Sequence, residues 1–440
     1  MMRTVAGLSA LLLVGMLLGA SMLVYAAYIL IAAFWICRKL SHNWTHSLSA
    51  ARTISAEEVE VGEKVGVQIR LQNASKLPIV WVLVEDLLPS AAVRGRHIAL
   101  QLDGQPIRVT SIPASGSRIV AYRLTAVRRG YFQVGPVVAE TGDLLGLNRR
   151  FRRVTGASYL TVLPKLIPLE GYEVASRRPV GEFKVSYRLL EDPTLISGIR
   201  AYRSGDPLRS VHWRATARTG ELQCKQYEPT SVAGATIVVD MHRETNPDEH
   251  EPIRTDLAVT AAASICHSLM QMQQQFGLIS NGRDAVDRIA SAADEEDNVD
   301  FQSLDGAKQS LRMRGASDRL RPVVVDCNRG PEHFQTIHRT LARLERTSGV
   351  PLEDMLLETQ SRMPRDATVL VIVQNVTESA AMALGLLARQ GYSVAAIVNN
   401  YEDEAVQTAV GRLLANRVAV YHLLDENSVP QICKEMILKY

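Results

Sequence analysis

The stretch "ATIVVD", residues 235–240, decides the fold of the second half of this chain. It is a short apolar run with no polar alternation that stops at an acidic residue. A strand with one wet face alternates polar and apolar residues, whereas a strand covered on both faces does not. The run therefore reads as a strand between helices, with Asp240 at its carboxyl end. Its surroundings follow the same plan. A helical pattern from Asp256 to Gln275 sets Leu257, Ala261, Ile265 and Leu269 on one face. "FGLIS" (276–280), "TVLVIVQN" (368–375), "SVAAIVNN" (393–400) and "VAVYHLL" (418–424) read as further buried strands. Helices are predicted from about Glu332 to Arg346, from Glu378 to Gln390 and before the last strand. Over residues 233–440 this alternation predicts a mainly parallel sheet with helices on both faces. Ligands of such folds sit at the carboxyl ends of the strands, where Asp240 lies.

Residues 283–320 break the rhythm. The acidic Asp294, Glu295, Glu296, Asp297 and Asp300 precede the basic "RMRGASDRLR" (312–321). So polar and charge-segregated a stretch reads as a flexible surface insertion, with a regulatory tether as the other reading.

Upstream, residues 50–165 read as strands of a different kind. "KVGVQIRLQN" (64–73) alternates Val65, Val67, Ile69 and Leu71 with polar residues. "IVWVLVEDLLP" (79–89) and "SRIVAYRLTAVRRG" (117–130) continue the pattern, separated by turn signals at Asn73-Ala74-Ser75, Asp103-Gly104 and Ser115-Gly116. Short alternating runs with regular turns predict an antiparallel β-sandwich, a spacer or binding surface more often than a catalytic domain.

Residues 4–37 carry no charged side chain, a run longer than the ~20 residues one membrane span needs. Gly19-Ala20-Ser21 offers a turn near its middle. A hairpin of two short transmembrane helices over residues 1–40 is the preferred reading, and one overlong span the other. Cleavage as a signal peptide at "LLGAS" (17–21) fits less well, because the apolar run continues to Ile36. Arg3 precedes the run, and Arg38 and Lys39 close it. In either topology the positive-inside rule puts residues 40–440 in the cytoplasm, as the soluble body of a cell-membrane protein. Trp35 and Trp44 bracket the exit, as interfacial anchors do.

With 440 residues the chain has room for about three domains. It is 47% hydrophobic and 22% charged, with a net charge of +3. That charge is too small, and the aromatics too few, for a base-stacking nucleic-acid surface. Cys37, Cys224, Cys266, Cys327 and Cys433 form neither a disulfide framework nor a CxxC pair, and read as reduced thiols.

The densest chemistry is "YRSGDPLRSVHWRATARTGELQCKQYE", residues 202–228, in the connecting segment 166–232. Arg203, Arg209, Arg214, Arg218 and Lys225 surround His212 and Trp213. Asp206-Pro207 reads as a helix start, with a helix from Leu208 to about Ala217 that Gly220 ends before a strand at "ELQCKQYE". Arg214 and Arg218, four apart, share a face. In a functional reading the arginines bind phosphate or carboxylate. In a structural reading they pair with Asp206, Glu221 and Glu228, while Trp213 fills a domain junction. No GxSxG or Cys-His signature supports His212 as a general base.

These residues carry a resemblance. Tyr202, Gly205, Asp206, Arg209, His212, Trp213, Ala217 and Arg218 match the signature of the domain-of-unknown-function 58 family. "RRGYFQVGPVVAETGDLLGL" (128–147) resembles that family's upstream stretch. The resemblance implies a membrane-anchored protein with a von Willebrand factor A-like C-terminal domain and no established enzymatic activity. It also implies a MoxR-type AAA+ ATPase as partner in assembly or envelope functions. The metal-ion-dependent adhesion site of such domains reads Asp-x-Ser-x-Ser. Here the place reads Asp240-Met241-His242-Arg243-Glu244, with both serines replaced, and the later strand ends in Gln374 and Asn375. Asp240, Glu244 and Thr377 remain as oxygen candidates for Mg²⁺, and His242 suits a softer metal. The other reading has Asp240 capping a helix or pairing with an arginine. No other cofactor is expected. The expectation is a non-enzymatic membrane scaffold, and the alternative is an anion sensor or enzyme built on residues 202–218.

Overall fold

The computed structural model describes residues 7, 10, 13, 14, 16–19, 21–143, 149–170, 191–202, 210–229, 234–290, 300–301, 321–365, 367–432 and 436–438. They fall into two compact units. One comprises residues 1–165, 283–319 and 338–346, the other 166–282, 320–337 and 347–440.

The first unit holds three sheets. In hydrogen-bonding order they are β1 (Leu48–Ile54), β3 (Lys64–Asn73), β7 (Ser117–Ala126) and β5 (Leu100–Asp103); β17 (Asp300–Phe301), β10 (Arg149–Arg153), β9 (Val137–Gly142), β4 (Ile79–Asp86) and β6 (Ile107–Ile112); and β2 (Glu58–Glu60), β11 (Ser158–Leu163) and β8 (Gly130–Val134). A two-strand ribbon, β16 (Arg283–Asp284) with β19 (Leu344–Glu345), and short helices α2 (Ser90–Arg94) and α5 (Ala285–Ala290) complete it. All pairs are antiparallel except β2 with β11. The antiparallel β architecture expected over 50–165 is present, as three sheets around one core. Val65, Val67, Ile69 and Leu71 enter that core from β3, Val82 and Val84 from β4, and Leu160 and Val162 from β11. Segment 283–319, expected as an insertion of the α/β region, groups instead with the β unit, where β17 extends the β10 edge.

Among the described residues one helix, α1 (Ser21–Ser47), is long and apolar enough to cross a membrane. It starts at Ser21, just past the expected turn, and so corresponds to the second arm of the expected hairpin of two short helices. Positions 7, 10, 13, 14, 16 and 17 are helical, and Leu18 and Gly19 form a turn. The rest of the first arm lies outside the described residues. The helix also runs past Lys39. Its exposed stretch carries Met22, Tyr25, Ile29 and Trp35, but Ser41, Trp44 and Thr45 are buried. Trp44 is therefore a core residue, packed with Leu48 in the β core rather than anchored at an interface. Arg152 of β10 donates to the Thr45 carbonyl (3.0 Å), satisfying one of the acceptors a helix end leaves open.

The β core contains a charge cluster that alternation alone does not announce. Arg52 of β1 faces Asp86, the last residue of β4, at 3.5 Å, with both side chains almost wholly buried. The Tyr122 hydroxyl of β7 donates to the same Asp86 oxygen (2.7 Å). Arg52 also donates to the carbonyls of Val134 and Gly156 and to Thr155 Oγ1. Burial pushes the Asp86 carboxyl above its ordinary value, while Arg52 and Tyr122 pull it back. Gly135 (φ +83°) lies against this guanidinium, and a Cβ there would strike it. The glycine of "VGP" is thus explained by a close approach, with positive φ as a second reason.

The second unit is built on a seven-stranded sheet in the order β18 (Val323–Asn328), β15 (Gln275–Ser280), β14 (Gly234–Val239), β20 (Thr368–Val373), β21 (Ser393–Val398), β22 (Ala419–His422), β23 (Met436–Leu438). The five central strands are parallel and the two edges antiparallel. The sheet is therefore mixed, with two edge strands beyond those expected. β18 was hidden because its three valines directly follow a run of charges.

Its helices are α4 (Ile253–Gln271), α7 (Leu352–Thr359), α8 (Glu378–Arg389) and α9 (Asp403–Ala415), and α6 (Pro331–Arg343) occupies the stretch expected as a helix from Glu332. α7 was not expected. Val238, Val369, Val371 and Val373 pack with Leu356, Leu384 and Leu413 of α7, α8 and α9. Period-two alternation turns Ile237, Val239, Leu370 and Ile372 to the opposite face, where α4 lies. From β14 the chain first builds toward β15, then returns to add β20 on the other side. The strand order reverses between β14 and β20, the place where open α/β sheets carry their ligands.

Replacing Asp86 with alanine strands the buried Arg52 charge. The expected loss is about 3–5 kcal/mol, read from denaturant unfolding. A loss of less than about 1 kcal/mol would show that the carbonyl and hydroxyl acceptors of Arg52 suffice without the carboxylate.

Candidate functional site

Two places carry polar side chains in the second unit. The first is the connecting segment. β12 (Glu191–Ala201) pairs antiparallel with β13 (Gln223–Pro229), and Tyr202 donates its N–H to the Leu222 carbonyl (2.9 Å). Val211 forms a bridge to Cys224, and the His212 N–H reaches the Gln223 carbonyl (2.7 Å). The helix that follows, α3, spans only Trp213–Thr219. This corrects the expected start at Leu208, because Val211 is held beside β13. His212 is the N-cap: its Nδ1 accepts the Ala215 N–H (3.0 Å). That nitrogen is occupied in holding the helix and is not a free base. Gly220 (φ +75°) ends the helix, as expected, and its N–H returns to the Thr216 carbonyl.

Trp213 is 66% exposed, so the ring is not packed into the core of its own unit. Arg214 and Arg218 are exposed and share a face, and neither has an ion-pair partner among the described residues. Glu221 is likewise exposed. Gly205, Asp206 and Arg209, with Arg203, lie outside the described residues.

The second place is the carboxyl edge of the parallel strands. Each central strand or the turn after it presents polar groups: Asp240, Ser280 with Asn281, Gln374 with Asn375, Asn399 with Asn400, and His422. Asp240 is 2% exposed. Its Oδ1 accepts from the His242 N–H (3.1 Å) and from Asn281 Nδ2 (2.8 Å), and its Oδ2 accepts from the Thr245 hydroxyl. Asn281 also takes the Met241 N–H (2.7 Å), and Asn246 Nδ2 reaches the Asp240 carbonyl (3.3 Å). The carboxylate is thus used up by its own loop and by the neighbouring strand end. Burial raises its pKa, and the bonds from Thr245, Asn281 and His242 oppose that rise.

The metal candidates are not gathered. His242 is buried, with its Nδ1 facing the Glu244 N–H (3.4 Å), while the Glu244 side chain is exposed. Thr377 caps α8, accepting from the Ala380 N–H (3.1 Å). Among the described residues Asp240 neither caps a helix nor pairs with an arginine; its partners there are Thr245, Asn281 and the His242 N–H. Among the described residues no group of three or more His, Cys, Asp or Glu side chains is poised to hold a metal.

The network continues along the edge. Arg254, at the start of α4, donates to Asn399 Oδ1 (3.3 Å) and the Leu424 carbonyl (2.8 Å) and lies 4.5 Å from the Tyr401 ring centroid. Burial lowers its pKa. The Tyr401 hydroxyl meets His250 Nδ1 at 2.6 Å, and His250 Nε2 lies 3.3 Å from Glu402. Gln374 is 1% exposed, and neither of its amide atoms has a partner among the described residues. Sequence reasoning missed Asn281, Thr245, Arg254 and Asn399. The available signal was that each apolar strand stops at an amide, hydroxyl or carboxylate.

Residues 198–298 match the family model described as a protein of unknown function, DUF58. The chain is also similar to the uncharacterized protein YeaD of Bacillus subtilis (strain 168), 25% identical over 240 residues, covering 54% of this chain and 57% of that one. It thus spans little more than half the length of that relative. Among solved structures, the CARDB domain from Pyrococcus furiosus in complex with di-metal ions matches 26% of this chain and 87% of its own, at 10% identity and a TM-score of 0.18. The alkylpurine DNA glycosylase AlkC of Pseudomonas fluorescens matches 26% of this chain and 30% of its own, at 12% identity and a TM-score of 0.18.

Two measurements follow from this geometry. Trp213→Ala is expected to change the unfolding free energy by less than about 0.5 kcal/mol, as an exposed position does. His212→Ala is expected to cost about 1 kcal/mol through the lost cap. Denaturant titration separates the two. For Asp240, the folded pKa lies above the ordinary value. Its stabilising contribution is therefore complete below that ordinary value and is lost as pH rises through the folded pKa. Asp240→Asn keeps Asn281 paired, and Thr245 can turn to accept, so the variant is expected to flatten this fall in stability with pH. An unchanged profile would mean that another group sets it.

Proposed function

We propose that this chain is a membrane-anchored, non-enzymatic adaptor whose α/β unit, of von Willebrand factor A type, offers its strand-end edge to a protein partner. The observation that carries the reading is the saturation of Asp240. At the place where an α/β sheet keeps its reactive groups, the Asp240 carboxylate is closed off by Thr245, Asn281 and a backbone N–H. A buried carboxylate that already accepts three hydrogen bonds, on both oxygens, is a poor nucleophile, base or metal ligand. The amides around it make a rigid polar surface, suited to recognition.

The five parallel strands with antiparallel edges, and an aspartate ending the first of them, support the von Willebrand A assignment. Helix α1 supports the anchor. Arg38 and Lys39, which close its apolar stretch, favour a cytoplasmic body. The partner we infer is a MoxR-type AAA+ ATPase acting in assembly or envelope processes, which rests on the family resemblance. A second reading is favoured by Arg214 and Arg218, exposed and without ion-pair partners among the described residues: this pair takes an anionic ligand.

The full chain, extracted in mild detergent with ATP and Mg²⁺, is expected to co-elute with an AAA+ ATPase in stoichiometric amount, identified by mass spectrometry. Chelator alone, with the nucleotide omitted, is expected to leave that complex intact, because the described residues of the edge gather no metal-binding group. Co-elution that chelator abolishes would restore a metal-dependent adhesion mechanism. Absence of any ATPase, together with phosphate binding that Arg214→Ala removes, would move the function to the arginine pair.

A further inference from the structure

The strand-end edge also holds a groove with charges of opposite sign at its two ends. α9 presents Glu404, Thr408 and Arg412 at four-residue steps, a spacing that stacks side chains along one helix face. Asn375 and Val376, between β20 and α8, face this stripe, and Glu402 closes one end. The groove is open to solvent and has a volume of about 320 Å³, the lower end of the range for small ligand pockets. Its floor, Val376, Ala405 and Ala409, is apolar.

The end groups are set in place. Glu402 is held by His250 at 3.3 Å. Thr408 donates to the Glu404 carbonyl (2.8 Å). Arg412 donates one N–H to the Val376 carbonyl, which leaves other guanidinium donors for a ligand. The acidic end coincides with the N-terminus of α9, whose dipole contributes about half a positive charge. Two carboxylates outweigh that, so this end attracts a cation. Glu404 and Arg412 are eight residues apart, which is about 12 Å along the helix axis. An extended peptide rises about 3.3 Å per residue, and residues four apart point to the same side, about 13 Å from each other.

We propose that the groove receives an extended segment of a protein partner in which a basic and an acidic side chain stand four residues apart. The basic group lies between Glu402 and Glu404, the acidic group meets Arg412, and the small residues between them cover Val376, Ala405 and Ala409. This rests on the adaptor reading and specifies the contact that reading needs. A single cation or a single anion uses only one end and binds more weakly.

The test uses the full chain in detergent and fluorescence anisotropy with a dye-labelled peptide, Ser-Lys-Ala-Ala-Ala-Glu-Ser. Two companions replace its Lys or its Glu with Ala. On the native chain each companion is expected to bind about fivefold more weakly, the upper end for a solvent-facing ion pair. Arg412→Ala is expected to erase the penalty for losing the peptide's Glu and to keep the penalty for losing its Lys. Glu404→Gln is expected to weaken the Lys penalty alone. Glu404 is exposed, so this arm stands even if Arg412→Ala disturbs the loop at Val376. Equal binding of all three peptides, no binding of any, or a uniform effect of both variants would overturn the proposal. The outcome is independent of whether an ATPase co-elutes, so the groove can fail while the adaptor reading survives, and the reverse.

Discussion

A carboxylate buried at the end of a central strand has to be surrounded by donors, and at Asp240 that requirement organises the edge of the α/β unit. Stripping water from a carboxylate without replacing its hydrogen bonds costs several kcal/mol. The loop after β14 folds back so that Thr245 and the His242 N–H reach the two oxygens. The neighbouring strand contributes Asn281, whose amide also holds the Met241 N–H and so ties β14 and β15 together beyond their ladder. Asn246 closes the turn from below. Removing the carboxylate therefore affects two loops, because three donors lose their acceptor at once.

The β unit solves a similar problem differently. Arg52 and Asp86 are buried as a pair, and Tyr122 supplies the further donor that the carboxylate needs. A buried ion pair of this kind is weak as a source of stability, since hydrophobic replacements can equal it. It is demanding about geometry. β1, β4 and β7 must present these three side chains to one point, and Gly135 must leave room for the guanidinium. The "RGYFQVGP" stretch thus has a structural explanation. Arg129 within it donates to the carbonyls of Leu341 and Leu344, and the glycine clears space for Arg52.

The sequence made periodic features legible and left networks hidden. Alternation in "KVGVQIRLQN" and the apolar runs ending at Asp240, Gln374 and Asn399 identified both architectures, because burial writes itself into every second or every consecutive residue. Edge strand β18 was lost beside a charged run, and α7 was too short to establish a period. Trp213 shows how little residue type alone decides: large aromatics are usually buried, yet this ring is exposed on a helix of seven residues. Trp44 failed in the opposite direction, because membrane-interface logic was applied to a helix whose last turns belong to the β core. Asn281 and Arg254 lie far in sequence from Asp240 and Asn399 and become their partners only through the strand order, while Thr245 reaches Asp240 through the fold of a five-residue loop.

The loop that follows Asp240 turns its polar groups inward, and that has a physical consequence. In a metal-binding loop the oxygens point outward and stay under-bonded until an ion arrives. In "DMHRETN", Met241 goes fully into the core and His242 is buried. Thr245 supplies the hydroxyl five residues after the aspartate, from inside the fold. The donors around the carboxylate come from the protein itself, so its burial is compensated from within the fold. What this edge leaves at its surface is fixed amides, and Glu402, Glu404 and Arg412 are charges that border it.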